Sequence, residues 1–127
     1  MGNGTQLGRV RGLGTAKTGT GHWWLARVTA ISNLVLMAWF LVSLVRLPDL
    51  EHATVVSWLR QPIAAIPLLL LIASVFYHFR LGVQVLIEDY VHHEGNKVLA
   101  VLMLNFYVLA LAFTAAFSVL KIAFGAV

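Results

Sequence analysis

The chain has 127 residues, of which 60% are hydrophobic and 11% charged, and its mean hydropathy is +0.85. A water-soluble domain carries about a quarter charged residues, so this composition excludes one and describes a membrane protein. The length allows one small domain and no separate soluble catalytic unit, so any catalysis is expected to be shared with partner chains. Cysteine is absent, which excludes disulfides, zinc-thiolate sites, iron-sulfur ligation and covalent haem attachment by this chain. The net charge of +4 comes from basic residues at the ends of apolar runs rather than on one face, a pattern of membrane topology and not of nucleic-acid binding.

Residues 1–21 hold seven glycines, Arg9, Arg11 and Lys17, and no acid. With so little apolar surface to bury, they are expected to form a flexible basic tail. This start has no apolar core of the signal-peptide kind, and residue 6 is Gln rather than the Ser or Thr of a myristoylation signal. A Gly-rich, acid-free start without a clear transit peptide favours a bacterial inner (cytoplasmic) membrane over a mitochondrial inner membrane.

Three apolar runs follow, each long enough to cross about 30 Å of hydrocarbon at about 1.5 Å per residue. The predicted fold is therefore all-α, with three transmembrane helices over about 23–46, 60–88 and 97–123 making up an anchor domain of residues 22–127. The first run lies between Arg27 and Arg46, the second carries only His78 and Arg80 as ionisable interruptions, and the third lies between Lys97 and Lys121. Pro62 suits a helical first turn, and Pro67, deeper in, is expected to kink the second helix. Arg9, Arg11, Lys17, Arg27 and Lys97 fall on one side of the bilayer, and Arg46, Arg60 and Lys121 on the other. This bias places the N-terminus inside and the C-terminus outside.

His78 stands ten residues before Glu88, about 15 Å along a helix and well inside the bilayer. An ionisable group at that depth faces a bundle interior, a cofactor or a water path. The competing reading is a neutral imidazole bonded to a neighbouring helix, with Ser74 one turn back assisting. Imidazole is also an axial ligand of haem iron. His22, His52, His92 and His93 fall in loops or at helix ends, so a second histidine ligand would come from another chain, unless Met37 on the first helix serves. Met37 reads better as packing.

Asp89 follows His78 by eleven residues, which is three turns plus about 20°, so the two share a face about 16 Å apart. Tyr90 is rotated by about 120° from His78, yet at a helix end the chain can turn it inward. A phenol beside a carboxylate at the membrane edge suits hydrogen bonding to a quinone carbonyl and proton relay. Spacing alone favours solvated acids and an aromatic-belt tyrosine. Arg80 lies about 200° from His78 and reads as snorkelling toward headgroups, or as a salt bridge to a cofactor carboxylate. Arg27 could hold an anionic headgroup or a haem propionate. Thr29, Ser32, Asn33 and Asn105 read as interhelical hydrogen-bonding residues rather than ligands. The "HHEGNK" loop lacks a fixed ligand spacing and reads as a solvated contact loop.

With "WWLARVTAIS" entering the first helix, "HFRLGVQVLIEDY" leaving the second and an apolar third, the chain resembles the hydrophobic membrane anchor subunits of succinate dehydrogenase, respiratory complex II. The resemblance covers residues 22–127 in topology, and its specific motifs lie in those two stretches. It implies that His78 is an axial ligand of haem b, the other coming from a companion cytochrome b subunit. It further implies that Tyr90 bonds the ubiquinone carbonyl, that Asp89 supports that site and its proton supply, and that Arg27 lies near the haem propionates and quinone pocket. FAD and iron-sulfur clusters would reside on a flavoprotein and an iron-sulfur subunit. Arg80 and the "HHEGNK" loop stand outside the pattern. Two alternatives stay open: an anchor of a quinol:fumarate reductase, since sequence does not set reaction direction, and a membrane scaffold or transporter component without haem, using His78 and Arg80 in a proton or substrate path.

Overall fold

The computed structural model describes Gln6 and residues 19–125. The expected tail therefore lies outside the described residues, apart from Gln6 and residues 19–21, and the latter belong to the first helix. Among described residues 19–125, four helices follow in order: α1 (Gly19–Val45), α2 (His52–Leu59), α3 (Pro62–Tyr90) and α4 (Glu94–Ala123). No strand occurs among the described residues. Among the described residues three helices are long and apolar enough to cross a membrane: α1 over Thr20–Val45, α3 and α4. At 29 and 30 residues, α3 and α4 exceed the roughly 20 residues a bilayer needs, so their ends reach beyond the hydrocarbon.

Local sequence explains where these helices start and stop. Pro62 occupies the first turn of α3, where a missing N–H costs nothing. At the far end of α4, Gly125 takes φ 74° and its N–H donates to the Ile122 carbonyl at 3.0 Å. That left-handed residue after the helix is a turn glycine provides without a Cβ penalty. Pro67 sits within α3 and removes one backbone donor there.

The loop between the first two spans contains α2, an eight-residue helix absent from the sequence expectation. Its Trp58 stacks on Trp39 of α1 at 6.1 Å between ring centroids and lies 6.3 Å from Phe40. Leu59 is buried, and α2 packs against both α3 and α4. It thus ties the three spans together at the end away from Tyr90.

The middle member is α3. It packs against α1 and against α4, while the α1 and α4 backbones do not approach each other within 8 Å between Cα atoms. The spans therefore form an open row. Few side chains are buried, among them Ala64, Ala65, Leu71 and Leu81 on α3 and Leu104, Val108 and Val119 on α4. Large apolar side chains such as Leu34, Phe106 and Phe113 face outward, the arrangement expected where the solvent is lipid or another apolar chain. Ala64 and Ala65 let backbones come close, as small residues do in membrane interfaces.

Candidate functional site

His78 sits on the α3 face that meets α1. Its Nδ1 lies 2.9 Å from Thr29 Oγ1. One turn away on both helices, Ser74 Oγ donates to Asn33 Oδ1 at 2.6 Å, with the Thr29 carbonyl at 3.3 Å. The pairs 29 with 78 and 33 with 74 form two rungs between antiparallel helices, because an i, i+4 step stays on one face of each. These rungs fix the register of α1 against α3. Ser74 reaches Asn33 and the Thr29 carbonyl rather than His78 itself.

His78 is half-buried, and its Nε2 makes no hydrogen bond among the described residues. No buried side-chain polar atom among the described residues lacks a partner, so Nε2 is on the accessible surface. An imidazole tethered at Nδ1 and open at Nε2 has the form of a metal-ligating histidine, whose second nitrogen is engaged by the protein. Within the described residues the chain brings no other histidine, aspartate or glutamate group together around a metal position. Met37 lies eight residues beyond Thr29 on α1, about 12 Å along the axis. In the observed register it is level with the α3 segment near Leu70, not with His78.

The α1 N-terminus, the α3 C-terminus and the α4 N-terminus share one end of the molecule. Asp89 and Tyr90 close α3 there, both exposed, Tyr90 at 77%. The Tyr90 carbonyl lies 3.0 Å from His92 Nδ1. Arg27, also exposed, sits over the Trp23 ring with Cζ 5.1 Å from its centroid, a cation-π contact that holds the guanidinium near the mouth of α1. Glu88 accepts from Gln84 Nε2 at 2.9 Å. Lys97 pairs loosely with Glu94 at 3.6 Å. His78 lies twelve residues from Tyr90, about 18 Å deeper along α3.

Arg80 occupies the opposite side of α3, on the face that packs against α4. Its Nε donates to Asn105 Oδ1 of α4. The helical angle of about 200° between His78 and Arg80 thus becomes two separate helix interfaces, one per neighbour. The sequence points Asn105 to an interhelical role but leaves Arg80 between the headgroups and a cofactor carboxylate. The missing signal was depth: the two residues come level only once the α3–α4 turn is known. A groove of about 430 Å³ runs beside this pair and is lined by Phe76, Tyr77, Arg80, Asn105 and Val108 among others. A second groove, nearer the exposed end, is lined by Gln84, Glu88 and Lys97 with apolar α4 residues. Neither includes His78, Asp89 or Tyr90. Asp89 and Tyr90 are exposed and His78 is half-buried.

The pattern of the family described as "Succinate dehydrogenase/Fumarate reductase transmembrane subunit" matches residues 1–119. The chain belongs to this succinate dehydrogenase/fumarate reductase transmembrane subunit family. Among its relatives, the "Succinate dehydrogenase hydrophobic membrane anchor subunit" of Rickettsia bellii is 35% identical over 86 residues, 68% of this chain and 69% of that protein. The proteins of the same name from Rickettsia conorii and Paracoccus denitrificans are 29% and 26% identical, covering 87% and 93% of this chain and 90% and 91% of theirs. No solved structure matches. The resemblance seen in the two sequence motifs is borne out, and the chain is a membrane anchor subunit of the succinate dehydrogenase kind, part of an oxidoreductase complex. Membership also accounts for the fold: an anchor assembled with other subunits can leave much of its apolar surface outward.

Proposed function

We propose that this chain is the anchor of a succinate:ubiquinone oxidoreductase that co-ligates haem b through His78 and helps form the ubiquinone-reduction site with Tyr90 and Asp89. The observation that carries this reading is the state of His78: Nδ1 held by Thr29 at 2.9 Å, Nε2 without a hydrogen bond among the described residues, about 18 Å along α3 from Tyr90. The donor chemistry fits haem iron, which takes imidazole nitrogen axially. The other axial ligand is assigned to a companion cytochrome b subunit, because the remaining histidines stand at helix ends.

Haem b, when bound, supplies a one-electron carrier within the bilayer. His78 contributes a nitrogen lone pair and a fixed ring plane. The Tyr90 hydroxyl donates a hydrogen bond to a ubiquinone carbonyl oxygen, and Asp89, exposed to water at the same helix end, passes protons toward it. Arg27 is placed to meet an anionic group, a propionate or the polar edge of the quinone pocket, through its planar fork. Ubiquinone accepts two electrons and two protons in all, the electrons originating from succinate on flavoprotein and iron-sulfur subunits that carry FAD and the clusters.

By the distribution of basic residues, the end bearing Arg27, Asp89, Tyr90 and Lys97 faces inside, and the Rickettsia and Paracoccus relatives favour a bacterial inner membrane. The family's description also names fumarate reductase, so a quinol:fumarate reductase anchor is the second reading. The seven relatives are all named for succinate dehydrogenase. The test is His78→Ala in the complex assembled from all subunits. The b-type optical spectrum is expected to disappear while the subunits still copurify. An unchanged spectrum removes His78 from the ligand role.

A further inference from the structure

We infer that Thr29 is a positioning residue which locks the His78 imidazole as its Nδ1–H tautomer, leaving the Nε2 lone pair free and raising its donor strength. The inference rests on the proposed ligand role of His78 only for its consequence at haem; the tautomer itself is a property of this chain. The argument is a count of protons. A threonine hydroxyl has one to give. Thr29 Oγ1 lies 2.7 Å from the Leu25 carbonyl oxygen and 3.2 Å from that of Ala26. Two oxygens at 2.7 Å are at O–H···O bonding distance, so the proton points back into α1. Toward His78, 2.9 Å away, the same oxygen can only accept. The hydrogen between them therefore belongs to Nδ1, and in a neutral ring Nε2 is bare.

Two further features keep the arrangement in place. Ser74 and Asn33, bonded at 2.6 Å one turn away, stop α1 from sliding against α3. The half-buried setting of Thr29 weakens competition from water. A hydroxyl that already donates to a carbonyl is also a better acceptor. Donation from Nδ1–H shifts electron density toward Nε2, which favours ferric over ferrous iron at a bound haem.

The test uses the full chain and needs no haem for its first part. In the haem-free, ¹⁵N-histidine-labelled chain in mild detergent at neutral pH, ring nitrogen shifts assigned with the His78→Ala variant should report Nδ1–H for His78. Thr29→Ser should keep that form. Thr29→Val, of the same shape without the hydroxyl, should revert to the Nε2–H form that imidazole prefers in water. A wild-type Nε2–H ring, or Nδ1–H surviving in Thr29→Val, overturns the inference. If Thr29→Val does not fold, the wild-type and Thr29→Ser spectra still decide it.

In the assembled complex, Thr29→Val should lower the ferric-to-ferrous ratio of the b haem at fixed poise by about two- to tenfold, the range of one neutral hydrogen bond. A tenfold change is about 59 mV upward in midpoint potential for one electron. Thr29→Ser should restore the wild-type value. A haem whose spectrum depends on His78 but whose potential ignores Thr29→Val overturns the tuning role while leaving the ligand assignment intact. Loss of the ligand assignment, conversely, leaves the nitrogen shifts to decide the tautomer.

Discussion

The pair Arg80 and Asn105 offers a quantitative test of how α3 and α4 are held. Arg80 lies ten residues from the end of α3, about 15 Å deep, and its Nε is satisfied by Asn105 across the helix interface, both side chains being half-buried. Asn105→Leu keeps the volume and removes the acceptor. A hydrogen bond to a charged group contributes about 1.5–3 kcal/mol in proteins, but interhelical bonds inside membranes average about 0.6 kcal/mol and reach about 1.7. The groove beside Arg80 is lined mostly by apolar side chains, so little there replaces Asn105 as an acceptor, and the cost falls between the two ranges. We expect Asn105→Leu to cost about 1–2 kcal/mol, because it strands a guanidinium. Arg80→Leu in the Asn105→Leu background should restore about 1 kcal/mol of that. The assay is a double-mutant cycle on reversible unfolding in mixed micelles. Additivity of the two substitutions to within about 0.5 kcal/mol would refute the coupling.

Two other outcomes follow from burial and exposure. Ala64 is fully enclosed at 0% exposure, so Ala64→Leu overpacks the start of α3 and should cost about 1–3 kcal/mol in the same unfolding assay, whereas Ile63→Leu at an exposed neighbour should leave stability unchanged. Tyr90→Phe removes one hydroxyl from an exposed helix end, so it should impair ubiquinone reduction by the complex while succinate oxidation by an artificial dye continues; equal loss of both activities would point to failed assembly instead.

Composition and hydropathy alone determined that this is a three-span helical membrane protein, because no backbone other than a helix satisfies its own hydrogen bonds within one apolar run. The short α2 escaped notice because its eight residues give too brief a pattern, and it is held by Trp39 and Phe40 from a distant segment. The relative positions of His78, Asp89 and Tyr90 along α3 were legible through their spacing, since helical rise and rotation are fixed by local geometry, whereas a role for Asp89 and Tyr90 came only from the family resemblance. Their mutual placement follows from one helix.

What the sequence could not decide was every relation between helices. Thr29 and Asn33 were readable as polar groups seeking partners, but only the antiparallel register of α1 on α3 delivers them to His78 and Ser74. Arg80, whose rotation from His78 was known, acquired a partner only when α4 was laid against the far side of α3. Helical periodicity sets which residues share a face; which face meets which neighbour depends on side-chain packing between segments far apart in the chain, and that is a property of the tertiary structure.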